Sequence, residues 1–147
     1  MDLASLLLLL CTALFLYCTG GSWMLQVVCY PTYALVGPDE FVPFHVEFGK
    51  RLMRAFVAPA LVANLLSFVV VFYRPEGVSL MAALVVALCS IVILSTTMVF
   101  EVPRHNALDR DGKSDDLIRA LVRDNIPRTI SWTVGSILLI TMLLNAI

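Results

Sequence analysis

Four stretches of this sequence carry no charged side chain: Leu3–Tyr30, Ala55–Tyr73, Ser79–Phe100 and Thr129–Ile147. A bilayer core of about 30 Å is crossed by roughly 20 mostly apolar residues in an α-helix, so each stretch is long enough to span. In lipid the backbone must satisfy its own hydrogen bonds, and runs of this length do so as helices. The remaining residues cannot supply an ordinary aqueous surface. Only 14% are charged against 60% hydrophobic, where a soluble domain carries about 25% charged residues, and mean hydropathy is +0.91. A net charge of −1 gives no electrostatic footing for nucleic acid.

The first run opens "LLLLL", as a secretory leader does. However, Met1-Asp2 supplies no basic segment before it, and "LYC" before Thr19 is no small-residue cleavage site. The apolar character also resumes after Gly20-Gly21, so the run is expected to stay as a membrane helix. Lys50, Arg51 and Arg54 fall between the first and second runs, and Arg104, Arg110, Lys113, Arg119, Arg123 and Arg128 between the third and fourth. Only Arg74 lies in the second connection. Positive residues concentrate on the cytoplasmic side of short loops. The expected protein is therefore a multi-pass protein of the cell membrane, with both termini outside and both charged connections cytoplasmic. Cys11, Cys18, Cys29 and Cys89 all fall inside spans without metal-ligand spacing, and read as small buried residues.

The expected architecture is all-α: one membrane domain over residues 1–147 forming a four-transmembrane-helix bundle. Its transmembrane helices run from about 3 to 30, 55 to 73 within a longer helix 40 to 73, 79 to 101, and 128 to 147. Helix two is extended because Phe41, Phe44, Phe48 and Leu52 recur at three- and four-residue steps before the span, which places that segment on or beyond the cytoplasmic face. "VGPDEF" reads as a turn with Asp39 as N-cap. Pro59 is expected to kink the span, and "YRPEGV" (73–78) forms an external turn. After "DRDGKSD", Ser114 or Asp115 starts a short amphipathic helix, and Leu117, Ile118, Leu121 and Val122 would lay it along the membrane surface. The Gly20-Gly21-Ser22 patch permits close approach of a neighbouring helix.

Polar residues on the spans form stripes. Ser90, Thr97, Glu101 and His105 share a face of helix three, provided that Pro103 does not swing His105 away. Asn125, Arg128, Thr129, Trp132 and Ser136 do so on helix four, and His45, Gly49, Phe56, Ala60 and Asn64 form a looser row on helix two. Gln26 and Tyr30, four apart, join from helix one. The orientation puts most of these at the cytoplasmic end. Each has a structural explanation: Glu101 as an interfacial ion pair, His105 and Asn106 as caps, His45 as a solvated side chain, Asn64 as an interhelical hydrogen-bonder. The functional alternative is that His45, Glu101 and His105 form a site. Two imidazoles and a carboxylate can hold a metal, or act as base and proton shuttle with Asn125 or Arg128 steadying an anion.

The order "WMLQVVCYP" (23–31), Phe41 with His45, "VPRHNAL" (102–108) and "NIPRTISWT" (125–133) resembles a bacterial family of small four-span proteins. That family is distantly similar to the anthrone-oxygenase-like domains. The resemblance covers nearly the whole chain and implies oxidation of a lipophilic aromatic anthrone to a quinone by O₂ without a recognised cofactor. It points at His105, Asn106, Asn125, Arg128 and Trp132 as the family-defining polar residues.

The leading expectation is a membrane oxidoreductase or oxygenase acting on a lipid-soluble, aromatic or quinone-like molecule. Its catalytic residues would be His45, Glu101, His105, Asn125 and Arg128, with Gln26, Tyr30, Asn64, Asn106 and Trp132 binding substrate, and no metal or cofactor. The competing expectation is a non-catalytic accessory subunit, either of a larger membrane complex or self-associated, docking through Gly20-Gly21 and its lipid-facing surface.

Overall fold

The computed structural model describes residues 2–146. It is helical throughout, with no strand among the described residues. Four helices are each long and apolar enough to cross a membrane: α1 Leu3–Leu35, α2 Pro38–Phe72, α3 Leu80–Asp111 and α4 Asp115–Asn145. Each packs on its sequence neighbour, and α4 closes the ring against α1. The α1–α2 and α3–α4 connections meet at one end, which carries most of the charge. The Tyr73–Ser79 turn lies at the other, where Gly77 (φ +83°) sits beside the carbonyl of Asn145. All four helices therefore alternate in direction.

The helices overrun the expected bounds at the charged end. The first continues to Leu35 rather than stopping near residue 30, and Lys113 Nζ donates to the carbonyls of Ala34 in its last turn and of Val36 just past its end (2.7 and 2.8 Å). The third continues past residue 101 to Asp111 and stops at Gly112, whose φ of +86° suits a residue without Cβ. Asp39 is not the N-cap of α2. Gly37 occupies that place, and Asp39 and Glu40 lie in the first turn, where carboxylates complement the helix dipole. The expected surface helix starts at Asp115, with Ser114 as its N-cap, and is continuous with the span through a bend at Asn125. Its apolar side does not face lipid. Ile118 and Leu121 are buried in a limb that folds over the end of α1 and the Thr97–Glu101 turn. The expected end of helix four at Ile147 lies outside the described residues.

Leu8, Cys11, Phe15, Cys18, Ala63, Ala83, Val86 and Leu139 fill the interior. Phe15 meets the edge of Trp132 at 4.8 Å between ring centroids. Helix approach is close where glycine permits it. A Cβ on Gly135 would lie 2.6 Å from the Phe15 ring, and one on Gly21 2.7 Å from Phe56. Gly21 is thus consumed inside the bundle, whereas Gly20 faces outward with nothing near it. The outer surface keeps Leu61, Leu65, Leu84, Leu88, Ile91 and Ile137 exposed, a belt that only a hydrocarbon solvent leaves without penalty.

Three helices contain one π-turn each, over Leu25–Cys29, Met53–Val57 and Thr97–Glu101. The cause is legible in the sequence. Each is followed at once by a proline pair: Tyr30-Pro31, Ala58-Pro59 and Val102-Pro103. Within an α-helix the proline ring would clash with the carbonyl four residues back and leave it without a donor. Those carbonyls belong to Val27, Ala55 and Val99, all inside the π-turns. Widening the turn relieves the clash, and the freed Ala55 carbonyl accepts from Tyr17 Oη at 2.6 Å. The extra residue also rotates everything beyond it by roughly 100° relative to the span.

Candidate functional site

The three π-turns surround one cavity of about 580 Å³, within the range of small-molecule pockets. Leu25, Met53, Phe56, Val57 and Val102 supply its apolar wall, and Tyr30, His45, Glu101, His105 and Arg128 its polar one. Lys50, Arg54, Asn106 and Asp109 also line it. Met53 and Val102 are themselves partly exposed on the outer surface, so the cavity reaches the gap between α2 and α3.

The feared displacement of His105 by Pro103 does not occur. Pro103 sits in the first turn after the π-turn, where its missing N–H costs little, and Glu101, His105 and Asp109 continue as one ladder along α3. Asp109 Oδ1 lies 2.6 Å from His45 Nδ1. His45 Nε2 lies 2.9 Å from His105 Nδ1, and His105 Nε2 faces Tyr30 Oη at a long 3.4 Å. His45 is far from a solvated side chain: it is 2% exposed, stacked between Phe41 and His105 with the Tyr33 ring against its edge.

Arg128 projects from the first turn of the spanning limb of α4 and is also buried. Its Nε donates to Asn125 Oδ1 (2.8 Å), Nη2 to Tyr30 Oη (3.2 Å) and Nη1 to Thr97 Oγ1 (3.4 Å). Asn125 is fixed in turn. Its Nδ2 donates to Gln26 Oε1 (2.8 Å), while Gln26 Nε2 donates to the Val122 carbonyl (2.8 Å). The guanidinium orientation is set by a network that locks three elements together.

Glu101 is the exception. It is 1% exposed, yet neither carboxylate oxygen has a hydrogen-bond donor. Its Oε2 stands 3.8 Å from Arg128 Nη2 and 4.0 Å from His105 Nε2. Both separations exceed a hydrogen bond, and the Tyr30 hydroxyl stands against the same two nitrogens, 3.2 Å from Arg128 Nη2 and 3.4 Å from His105 Nε2. A buried carboxylate without donors is costly, and the positive field of Arg128 is the nearest compensation.

Of the ten expected site residues, His45, Glu101, His105, Tyr30, Arg128 and Asn106 line the cavity. Asn125 and Gln26 stand behind Arg128 and hold it. Asn64 is elsewhere: its Nδ2 donates to the Ala60 carbonyl of its own helix, in the half of the bundle where Ser67 meets Ser90 at 2.7 Å. Trp132 is fully buried against Phe15 and lines no part of the cavity. Asp109 and Tyr33 were not expected. Asp109 stands one further step of four beyond His105, and that spacing marks it; Tyr33 carries no comparable signal. Among the described residues no three His, Cys, Asp or Glu side chains are grouped to hold a metal ion; the two imidazoles face each other rather than a common point.

No family model, curated protein or solved structure matches the chain.

Proposed function

We propose that this is a multi-pass membrane protein, cytoplasmic at its charged end, whose cavity oxidises a lipid-soluble, aromatic or quinone-like molecule with dioxygen. The observation that carries the reading is the buried, donorless Glu101 placed between Arg128 and His105 in a cavity whose opposite wall is apolar. An apolar ring slides against Phe56, Val57 and Val102, while a ring hydroxyl or carbonyl meets Glu101 and Arg128. His105 Nε2 faces the same space and is the base, and the Arg128 guanidinium steadies the phenolate or enolate formed when the base takes a proton. A largely apolar wall beside hydrocarbon suits both the substrate and dissolved O₂. The resemblance to anthrone-oxygenase-like domains points the same way.

One observation favours the accessory-subunit reading: Gly20 remains open on the outer surface, beside an apolar groove of about 600 Å³ lined by Tyr17, Met24 and Ala55. Native purification into lipid nanodiscs, with mass spectrometry of everything that co-elutes, separates the two. The oxidase reading expects a hydroxyaromatic or quinone-like molecule with the wild type and its loss in Arg128→Met. Stoichiometric recovery of another membrane protein, with no such molecule, would overturn it.

A further inference from the structure

Asp109 is 42% exposed, whereas the His45 ring it touches is 2% exposed. Asp109 lines the cavity at its exposed rim, together with Lys50 and Arg54, so the contact joins that wet rim to a buried imidazole. Only one assignment of protons serves every neighbour when both imidazoles are neutral. The carboxylate of Asp109 can only accept, so His45 carries its proton on Nδ1 and leaves Nε2 bare. His105 then donates from Nδ1 to that bare nitrogen, which leaves its own Nε2 bare toward the cavity. Phe41 and Tyr33 close the rest of the His45 ring off. Every donor in the row points toward Asp109, and the acceptor left at the cavity end, His105 Nε2, faces the Tyr30 hydroxyl at a long 3.4 Å.

We infer that Asp109, His45 and His105 form a proton wire between the buried part of the cavity, at Tyr30, Glu101 and Arg128, and water at its exposed rim, with Asp109 as its outer port. The use of the wire in turnover rests on the oxidase reading; its existence does not. When His105 Nε2 takes a proton from the substrate, His105 gives its Nδ1 proton to His45 Nε2, and His45 gives its Nδ1 proton to Asp109. Each imidazole gains one proton and loses one, so neither is left charged in the low-dielectric interior. The negative charge passes from the Asp109 carboxylate to the substrate, where Arg128 meets it. With O₂ as oxidant, the substrate carbanion passes its electron pair to O₂ and forms a carbon–oxygen bond as a peroxide anion. The peroxide takes back one proton through the reversed wire. It then loses water as the carbonyl forms, and the original tautomers return. The substrate carbon is oxidised, O₂ is reduced, and no net proton is left over. Asp109 and His45 line the cavity but do not reach the reacting atoms in this scheme; they are positioning and relay residues, and His105 is the catalytic one.

The wire is testable without any substrate. In histidine-¹⁵N-labelled protein in lipid nanodiscs, magnetic resonance reads the exchange of the His105 Nδ1 proton with water, with His45→Gln used for assignment. Asp109→Asn keeps an oxygen that accepts from His45 but cannot take up a proton. It is expected to slow His105 exchange by about a hundredfold, the lower end of what a positioned proton-transfer group contributes, at an unchanged melting temperature. Asp111→Asn, an exposed carboxylate on the same helix end, is expected to leave the rate alone. Unchanged exchange in Asp109→Asn would overturn the wire, since protons would then reach His105 through the cavity mouth; equal slowing by both substitutions would overturn it as well. Slowed exchange together with no oxygen uptake by the wild type on an anthrone would sink the oxidase reading alone and leave the wire standing.

Discussion

Arg128 and Glu101 are the least comfortable residues in the molecule. Both are buried, they face each other at 3.8 Å, and only the arginine has hydrogen-bond partners. That asymmetry makes a prediction. Arg128→Met strands a carboxylate with no counter-charge and should destabilise by about 3–5 kcal/mol, the usual cost of breaking a buried ion pair from one side. Glu101→Gln leaves all three arginine hydrogen bonds in place and should lose far less. Thermal unfolding in nanodiscs checks the order; equal losses would contradict it. At this scale the sequence is informative about faces and silent about neighbours. Steps of four put Glu101 and His105 on one side of α3, and the same rule extends to Asp109. Spacing along α2 equally put Asn64 on the His45 side, but a shared face says nothing of height, and Asn64 lies in the opposite half of the bundle. Trp132 shares the Arg128 face, yet one turn further in that face meets Phe15 rather than the cavity. Tyr33 could not be read because its role depends on a wall formed by Phe41 and His45 from another helix.

At the scale of elements, the prolines decide more than the hydrophobic periodicity does. The apolar runs announce four spans, but only the proline positions explain why α1, α2 and α3 each widen at one level and why the cavity forms there. Helix three runs on beyond its span to Asp111 for the same reason: a proline directly after a π-turn continues a helix instead of ending it. The amphipathic limb Asp115–Asp124 carries an apolar stripe that a lipid surface and a helix end attract equally, and only the packed structure chooses between them. Glycines mark the crossings. Gly135→Val should destabilise by about 1–3 kcal/mol through overpacking against Phe15, whereas Gly20→Val, with nothing near it, should be close to neutral in an isolated protein. Unfolding of the two variants side by side tests this. A large loss at Gly20 would instead point to a contact with a second chain.

For the whole molecule, the charge distribution and the placement of the cavity belong together. Nine of the ten Lys and Arg residues precede or follow the spans at the end where the cavity lies, and the proposed wire opens to water at that end. If this end is cytoplasmic, a cysteine in place of Glu76 should react in intact cells with a maleimide that cannot cross the membrane. One in place of Asp111 should react only after lysis; the reverse pattern would invert the topology. The four native cysteines are all free, three of them buried and Cys29 half-buried, so they give little background. The most direct test of the account is oxygen uptake by the protein in nanodiscs supplied with a panel of anthrones and quinols, compared between wild type and His105→Gln. The account predicts uptake by the wild type and a fall of about a hundredfold or more in a folded His105→Gln protein, the contribution expected of a positioned general base. Equal uptake by both proteins, or none by the wild type on any member of the panel, would contradict it.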